Sequence, residues 1–151
     1  MSTNELLNVP VRQIMSQNVV RVTRTASMKT VDDLFTEHGF HHLPVVDERE
    51  YPVGIISAGD LKLLKNYGTR LGLHQSKLIN ESLLHSNLAA DVMSKPVITV
   101  RPDDTLERCA DLLRENLFHA LPVVEDGRLV GLITTYDLLI TAYRRLPELT
   151  N

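Results

Sequence analysis

Short apolar runs alternate with stretches of helical periodicity along this chain, and the whole series occurs twice. In the first copy, a β-branched run at 19–22 predicts a short strand, and Met28, Val31, Leu34 and Phe35 fall on one face of a predicted helix. Two further apolar runs predict a pair of strands, at 43–46 and 52–56, and a second helix opens at 60, 61 and 64. The predicted order of elements in each copy is therefore β-α-β-β-α.

The repetition is also visible in the residues themselves. The segment Phe40–Val46, FHHLPVV, recurs as Phe118–Val124, FHALPVV, after a shift of 78 positions (118 − 40). One extra residue in the turn at 47–51 changes the shift to 77, so that Val53–Ser57 aligns with Val130–Thr134. We therefore interpret the chain as a duplicated module.

The second copy carries the same signals with different residues. It predicts a strand over 97–100, strands over 121–124 and 129–133, and a final helix from 137. Its first helix is predicted to bury Leu106, Cys109, Ala110 and Leu113. Local signals add a capping box from Asp104 to Glu107, a helix stop at Gly39 and a hairpin turn at Asp126-Gly127.

A leucine-rich segment separates the two copies. It predicts the rest of one helix, a turn and another helix near 75–84, and it is too apolar to be a flexible linker. We expect its leucines to be covered by their own module or by a partner chain. The predicted domains are 10–67 and 89–147, with a helical linker over 68–88.

Composition narrows the functional classes. The 151 residues are 43% hydrophobic and carry a net charge of −3 without a basic cluster longer than Arg144-Arg145, which argues against disorder and nucleic-acid binding. With no signal-peptide pattern and no run of 18 apolar residues, we expect a cytoplasmic protein.

Cys109, the single cysteine, excludes an internal disulfide and is expected to be an inert buried thiol. No nucleophile with a base and an orienting group, and no recognisable metal-ligand spacing, is present, so we expect neither an enzyme nor a metal site.

Two pairs of polar residues mark the points where a strand gives way to a helix. Ser57 and Asp60, like Thr134 and Asp137, lie three positions apart, as in a capping box that satisfies free backbone N–H groups. The same position suits a ligand, because a carboxylate can accept hydrogen bonds from both ribose hydroxyls while the helix N-terminus favours a phosphate. The spacing is compatible with both roles.

These endings, the His-x-Leu-Pro-Val-Val run and the order of elements resemble tandem cystathionine-beta-synthase (CBS) domains over about residues 10–145. The resemblance implies an α/β (α+β) fold in which two repeats pack as a pseudo-twofold pair, often called a Bateman module. It also implies clefts that bind AMP, ADP, ATP or S-adenosylmethionine, no required cofactor, and a regulatory rather than catalytic role. Such modules commonly pair, so a homodimer is expected. Because the repeats use almost the entire chain, a regulated effector protein would act in trans.

The resemblance also assigns candidate ligand contacts. It gives the ribose to Asp60 and Asp137, and it places His41, His42 and His119 where family members direct His or Arg at phosphates. A histidine with a pKa of about 6.5 is only partly charged at neutral pH, which predicts a modest or pH-dependent phosphate affinity. The full candidate set is Val20, His41, His42, Pro44, Ser57, Asp60, Ile98, His119, Pro122, Thr134 and Asp137.

The two clefts are not expected to be equivalent. Tyr136 stands beside Asp137 where the first copy has Gly59, so its ring would either stack on a base or crowd the cleft. His41-His42 supplies two donors, whereas His119-Ala120 supplies one. The alternative function is a structural or dimerising interaction module without a nucleotide ligand.

Overall fold

The structure is a computed structural model that describes residues 3–149, with side chains described from 5 to 145. The elements in chain order are α1 (Thr3–Leu7), a 3-10 turn (Val11–Gln13), β1 (Val22–Thr23), α2 (Met28–His38), β2 (His42–Val46), β3 (Pro52–Ser57), α3 (Ala58–Lys65), α4 (Tyr67–Arg70), α5 (Ser76–Ser86), α6 (Ala89–Val92), α7 (Leu106–Asn116), β4 (Ala120–Glu125), β5 (Arg128–Thr134) and α8 (Thr135–Leu149). They form two compact units, which we call the first unit (Val20–Val97) and the second unit (the chain up to Val19 and from Ile98 onwards).

The first unit contains a three-stranded sheet in the order β1-β2-β3. β2 and β3 form an antiparallel hairpin, and β1 pairs with β2 in parallel. The prediction of a strand over 19–22 is wrong in its bounds, because β1 has only Val22 and Thr23, which pair with the last two residues of β2. The core lies between this sheet and the helices, and it consists of Val22, Met28, Val31, Phe35, Leu43, Val45, Ile56, Leu61, Leu84, Ala89 and Met93.

Helix α2 begins at a side-chain cap and ends where the sequence predicts. The hydroxyl of Ser27 accepts a hydrogen bond from the Thr30 N–H at 3.1 Å, which caps the first turn. Gly39 ends the helix with φ of 68°, a left-handed conformation that favours glycine. Met28, Val31 and Phe35 are buried in the core of the unit, and Leu34 is half-buried against it, which confirms the predicted apolar face.

The second unit contains the hairpin of β4 and β5. Asp126 and Gly127 join the strands with φ of 51° and 81°, so the predicted two-residue turn with positive φ at both positions is confirmed. The predicted strand over 97–100 does not form. Only Val100 bridges to β4, and the chain turns directly after it, where the Arg101 N–H donates to Asp104 at 2.7 Å.

Two expectations for α7 are also corrected. Thr105, not Asp104, caps the helix by accepting a hydrogen bond from the Arg108 N–H, because Asp104 is already engaged in the preceding turn. Ala110 is exposed although it lies four residues after Leu106, and the buried residues of the helix are Leu106, Cys109 and Leu113. The core of this unit is formed by Val9, Val11, Val100, Leu106, Cys109, Leu113, Leu121, Val123 and Ile133.

The first residues of each repeat, 10–16 and 88–94, form a leading segment. Each leading segment packs against the hairpin of the other repeat and belongs to that hairpin's unit. Residues 10–16 lie in the second unit, where Ser16 bridges Leu132 and Met15 covers Gly131. Residues 88–94 lie in the first unit, where Ser94 bridges Ile55 and Met93 covers Gly54. The compact units are thus divided at 19/20 and 97/98, and the domain bounds 10–67, 68–88 and 89–147 stay a prediction about the sequence repeats.

The segment between the repeats is helical, as predicted. Helix α5 packs on α2 and α3 and buries Leu84, and the Gly68 N–H of α4 donates to Asn80 of α5 at 2.7 Å. Leu71, Leu73 and Leu78 stay exposed, so their own unit does not cover them. Within residues 3–149, no helix combines the length and the apolar character needed to cross a membrane.

Candidate functional site

In the first unit, one end of the β2–β3 hairpin meets the start of α3. His42 at the start of β2 pairs with Ser57 at the end of β3, and the Ala58 N–H donates to the His41 carbonyl at 2.8 Å. This register brings His41, His42, Ser57 and Asp60 to the same edge of the sheet. His41 is exposed and the other three are half-buried.

Ser57 and Asp60 form a complete capping box. The Asp60 N–H donates to Ser57 Oγ at 3.1 Å, and the Ser57 N–H donates to Asp60 Oδ2 at 3.0 Å. None of the hydrogen bonds found among the described residues reaches Asp60 Oδ1. Since an ionised carboxylate accepts on both oxygens, the box leaves Asp60 with acceptor capacity for a further group.

The second unit repeats this arrangement. The Thr134 N–H and hydroxyl donate to Asp137 Oδ2 at 2.9 and 3.0 Å, and the Asp137 N–H donates to Thr134 Oγ1 at 3.2 Å. The Thr135 N–H donates to the His119 carbonyl at 3.0 Å, just as Ala58 does to His41. The predicted capping role is therefore confirmed in both copies.

The apolar candidates lie deeper than the polar ones. Pro44 and Pro122 are fully buried within β2 and β4, opposite Ile55 and Leu132. Val20 and Ile98 are half-buried, and each packs against the core of its own unit. The side chains of the two prolines are buried in the protein interior. A ligand contact by any of these apolar residues stays a prediction.

A cavity of about 480 Å³ begins at the first capping box and follows α3. Its lining residues are Ser57, Gly59, Asp60, Lys62, Leu63, Asn66 and Arg70. Sequence reasoning missed Lys62, Asn66 and Arg70. For Lys62 the signal is its helical spacing from Gly59 in α3, whereas Arg70 belongs to the next helix, α4, and no local pattern connects it to Gly59.

A second cavity, of about 500 Å³, lies between α2 and α3 of the same unit. Phe35, Phe40 and Leu61 line it, and Lys65 closes one side through an ion pair with Asp32 at 2.8 Å. Its apolar lining and its paired charges give it a different chemistry from the cavity along α3.

The equivalent helix face in the second unit is apolar. At a shift of 77, Gly59, Lys62 and Asn66 correspond to Tyr136, Leu139 and Tyr143 of α8. These three side chains are 67%, 65% and 70% exposed, and we call them the α8 stripe. The two capping boxes are thus followed by helix faces of opposite character.

Two kinds of reactive site were considered, a nucleophilic thiol and a metal centre. Cys109 is fully buried in the core of the second unit, and burial raises the pKa of its thiol to about 11, so the nucleophilic thiolate is disfavoured. Among the described residues, no three His, Cys, Asp or Glu side chains are grouped closely enough to hold a metal ion.

Known proteins resemble this chain in both repeats. The sequence profile of the CBS domain matches residues 11–65 and again residues 89–142, and each match contains one capping box. The chain belongs to the CBS domain family. Both the predicted pair of CBS repeats and the predicted α/β (α+β) fold class are therefore confirmed.

Two solved CBS structures are similar over nearly the whole chain. The structure of CBSX2 in complex with AMP has a TM-score of 0.70 and 30% sequence identity, and the match covers 89% of this chain and 96% of that one. The CBS domain of a bacterial CNNM/CorC family Mg²⁺ transporter in complex with ATP has a TM-score of 0.73 and 26% identity, with coverage of 93% and 91%.

The first curated relatives are longer than this chain. A homoserine O-acetyltransferase from Methanosalsum zhilinae is 32% identical over 134 residues, which is 88% of this chain but only 24% of that protein. The chain therefore spans about a quarter of that relative's length, and the acetyltransferase name describes the longer protein. CBS domain pairs are generally regulatory rather than catalytic.

Proposed function

We propose that this chain is a regulatory module that binds an adenosine-containing ligand, AMP, ADP, ATP or S-adenosylmethionine, and signals its occupancy to another protein. The observation that carries the proposal is the repeated site: each unit places a half-buried aspartate in a capping box beside a histidine at the end of a hairpin.

The geometry supports recognition of a ribose. In each box Oδ2 of the aspartate is held by backbone and hydroxyl donors, which fixes the carboxylate while Oδ1 keeps its capacity to accept a ribose hydroxyl. Hydrogen bonds to a charged group contribute about 1.5–3 kcal/mol each, enough for one carboxylate to contribute substantially to affinity. Relatives in complex with AMP and ATP support the same ligand class.

The proposed module acts without catalysis and without a required cofactor. Its effector would be a protein in trans, and its location the cytoplasm, as the sequence suggests. A signal requires that the ligand bind two conformations with different affinity, so the effector would respond to whichever conformation the occupied site favours.

Isothermal titration of the purified chain with AMP, ADP, ATP and S-adenosylmethionine tests the proposal. We expect saturable binding that Asp60→Ala and Asp137→Ala each weaken by about ten-fold or more, since each removes a charged acceptor. Ser57→Ala distinguishes helix capping from ligand binding in the first box. It removes the hydroxyl that caps the helix but keeps the Asp60 carboxylate, so it should lower stability more than it lowers ligand affinity.

A matched control is available in the first unit. Asp91 accepts a hydrogen bond from the Leu88 N–H at 2.8 Å, so Asp91→Ala removes the same kind of backbone contact away from the proposed site. Binding should be unchanged in this variant. Titrations that are silent in a folded wild-type protein, or that are equally strong in the Asp60→Ala/Asp137→Ala double variant, would overturn the ribose assignment.

The α8 stripe favours a second candidate function, an interaction module. Three exposed apolar side chains on one helix face are typical of a protein contact, and CBS pairs often dimerise, so a homodimer is the proposed partner of this face. Light scattering of the wild type and of Leu139→Glu tests it. A dimer that becomes monomeric in the variant supports the contact, and a wild-type monomer rejects it.

A further inference from the structure

The connection between α4 and α5 exposes several large apolar side chains. Of the eleven large hydrophobic side chains that are exposed among the described residues, five lie between 63 and 78. Three of these are leucines in or directly after the turn at 71–75, and Leu71, Leu73 and Leu78 are 55%, 44% and 61% exposed. All five residues of the turn are exposed as well. The leucines therefore face the solvent at a turn and are not covered by the first unit.

Hydrogen bonds define the conformation of this turn. The Leu73 N–H donates to the Gly68 carbonyl at 3.1 Å, and the Gly72 N–H donates to the Thr69 carbonyl at 3.0 Å. Gly72 has a φ of 65°, a left-handed conformation that favours glycine. The Asn80 side chain of α5 accepts from the Gly68 N–H at 2.7 Å and donates to Thr69 Oγ1 at 3.2 Å, which ties α4 to α5. The exposed leucines thus belong to a specifically bonded part of the fold.

The same stretch of the chain is basic. Residues 61–80 contain four Lys or Arg side chains and no Asp or Glu, although the whole chain has a net charge of −3. Lys65 is paired with Asp32, but Arg70 and Lys77 are exposed and take part in none of the ion pairs found among the described residues. We define the basic corner as Arg70, Leu71, Leu73, Lys77 and Leu78.

The composition of the basic corner favours a lipid surface over a protein as its partner. Protein interfaces are depleted in lysine, and leucine is under-represented among the residues that dominate their affinity. Membrane-surface binding instead combines the burial of apolar side chains at the headgroup boundary with the attraction of cations to anionic lipids. The basic corner supplies both contributions, because its leucines lie between two cations in sequence.

We propose that the basic corner binds the surface of an anionic lipid bilayer, with its leucines in the headgroup region and Arg70 and Lys77 beside the lipid phosphates. The chain lies on the membrane and does not span it. The cytoplasmic leaflet has the negative surface potential that this contact requires, in agreement with the cytoplasmic location expected from the sequence. The inference goes beyond the proposed function and does not depend on a bound nucleotide.

Co-sedimentation of the full chain with lipid vesicles tests the proposal. Vesicles of phosphatidylcholine alone are compared with vesicles of equimolar phosphatidylcholine and phosphatidylglycerol, at low and high salt and without nucleotide. We expect the chain to sediment with the anionic vesicles only. High salt should weaken this binding by about ten-fold or more, because it screens the attraction between the cations and the lipid phosphates.

Two pairs of substitutions remove the two contributions separately. Leu71→Ser/Leu73→Ser should weaken binding to the anionic vesicles by about ten-fold or more, because it removes apolar side chains that the bilayer would cover. Arg70→Gln/Lys77→Gln should weaken it by about five-fold for each cation lost.

Matched control pairs lie outside the basic corner. Leu88→Ser/Leu117→Ser removes two other exposed leucines, and Lys95→Gln/Arg128→Gln removes two other exposed cations with the same change in net charge. Both control pairs should bind the anionic vesicles as the wild type does. Circular dichroism checks that all four variants are folded.

Three results would overturn the proposal: no sedimentation of the wild type with the anionic vesicles, equal binding to both kinds of vesicle, or equal losses in the test and control pairs. Light scattering covers the remaining case. A wild-type dimer that Leu71→Ser/Leu73→Ser converts to a monomer, with vesicle binding unchanged, would show that a second copy of the chain covers these leucines instead.

Discussion

Helices α3 and α8 begin in the same way and then differ. Both start with a hydroxyl and an aspartate in a capping box, and both follow a hairpin whose preceding histidine accepts a hydrogen bond from the first helical N–H. From the first turn onwards, however, α3 presents a cavity with cations and α8 presents the apolar α8 stripe. After a duplication, the interactions that start a helix can persist while its outer face changes toward another ligand or partner.

The interiors of the two units show the opposite behaviour, because equivalent positions make equivalent contacts. Gly54 of β3 lies under Met93, and Gly131 of β5 lies under Met15. Both methionines come from the leading segment of the other repeat, so each glycine permits that segment to approach the hairpin closely.

The largest effect should come from filling these two close approaches. A Cβ at Gly54 would lie within 3.0 Å of three side-chain atoms of Met93, and a Cβ at Gly131 would meet Met15 Sδ at 2.5 Å and the Ser16 carbonyl oxygen at 3.0 Å. We expect Gly54→Ala and Gly131→Ala each to lower the free energy of unfolding by about 1–3 kcal/mol through overpacking. Urea denaturation measures both.

Gly59→Ala is the matched control, since its Cβ has room and alanine favours the helix. It should unfold at the same or a higher urea concentration. A double-mutant cycle with Met93→Ala should show partial coupling at Gly54, because this change removes Met93 Sδ and Cγ but keeps Cβ, which would lie 2.8 Å from the added Cβ. Wild-type stability in both Gly54→Ala and Gly131→Ala would show that the two interiors are looser than their contacts suggest.

A smaller and equal effect is expected from the two caps. Ser57→Ala and Thr134→Ala each leave one helical N–H, that of Asp60 or Asp137, without its hydroxyl acceptor. Each should lower the free energy of unfolding by about 1 kcal/mol. Thermal unfolding of both variants measures it, and a loss in one unit only would show that the boxes differ despite their similar distances.

The sequence predicted the parts of the fold that depend on neighbouring residues. Gly39, the Asp126-Gly127 turn and both capping boxes follow from local backbone chemistry, and each is present. The β-branched run at 97–100 predicted a strand, yet only Val100 pairs with β4, because pairing depends on a distant strand and not on the run alone; after Val100 the Arg101 N–H is taken by Asp104. The exchange of the leading segments depends on distant contacts, which no local pattern specifies.

The candidate site divides in the same way. The aspartates and hydroxyls were found because a capping box has a fixed spacing in sequence. Lys62 and Arg70 were missed because an exposed cation on a helix is common, and only the cavity shows that these two share a space with Asp60. The binding roles of the candidate residues stay predictions until titration tests them.

The smallest change in the free energy of unfolding at neutral pH should come from giving one buried position the same residue in both units. Cys109 in α7 corresponds to Val31 in α2, and both are fully buried. Because valine and cysteine are close in volume, Cys109→Val should change the free energy of unfolding by no more than about 1 kcal/mol.

Alkaline pH should reveal the difference between these two side chains. Burial raises the pKa of the Cys109 thiol from 9.0 to about 11, so above pH 9.0 the unfolded thiol loses its proton while the folded one keeps it. The unfolded state then binds fewer protons, and wild-type stability falls as the pH rises from 9.0 toward about 11. Urea denaturation across this range should show a shallower decline in Cys109→Val, which has no thiol to titrate. Parallel declines would mean that the thiol titrates alike in both states, and that its burial has no consequence for proton binding.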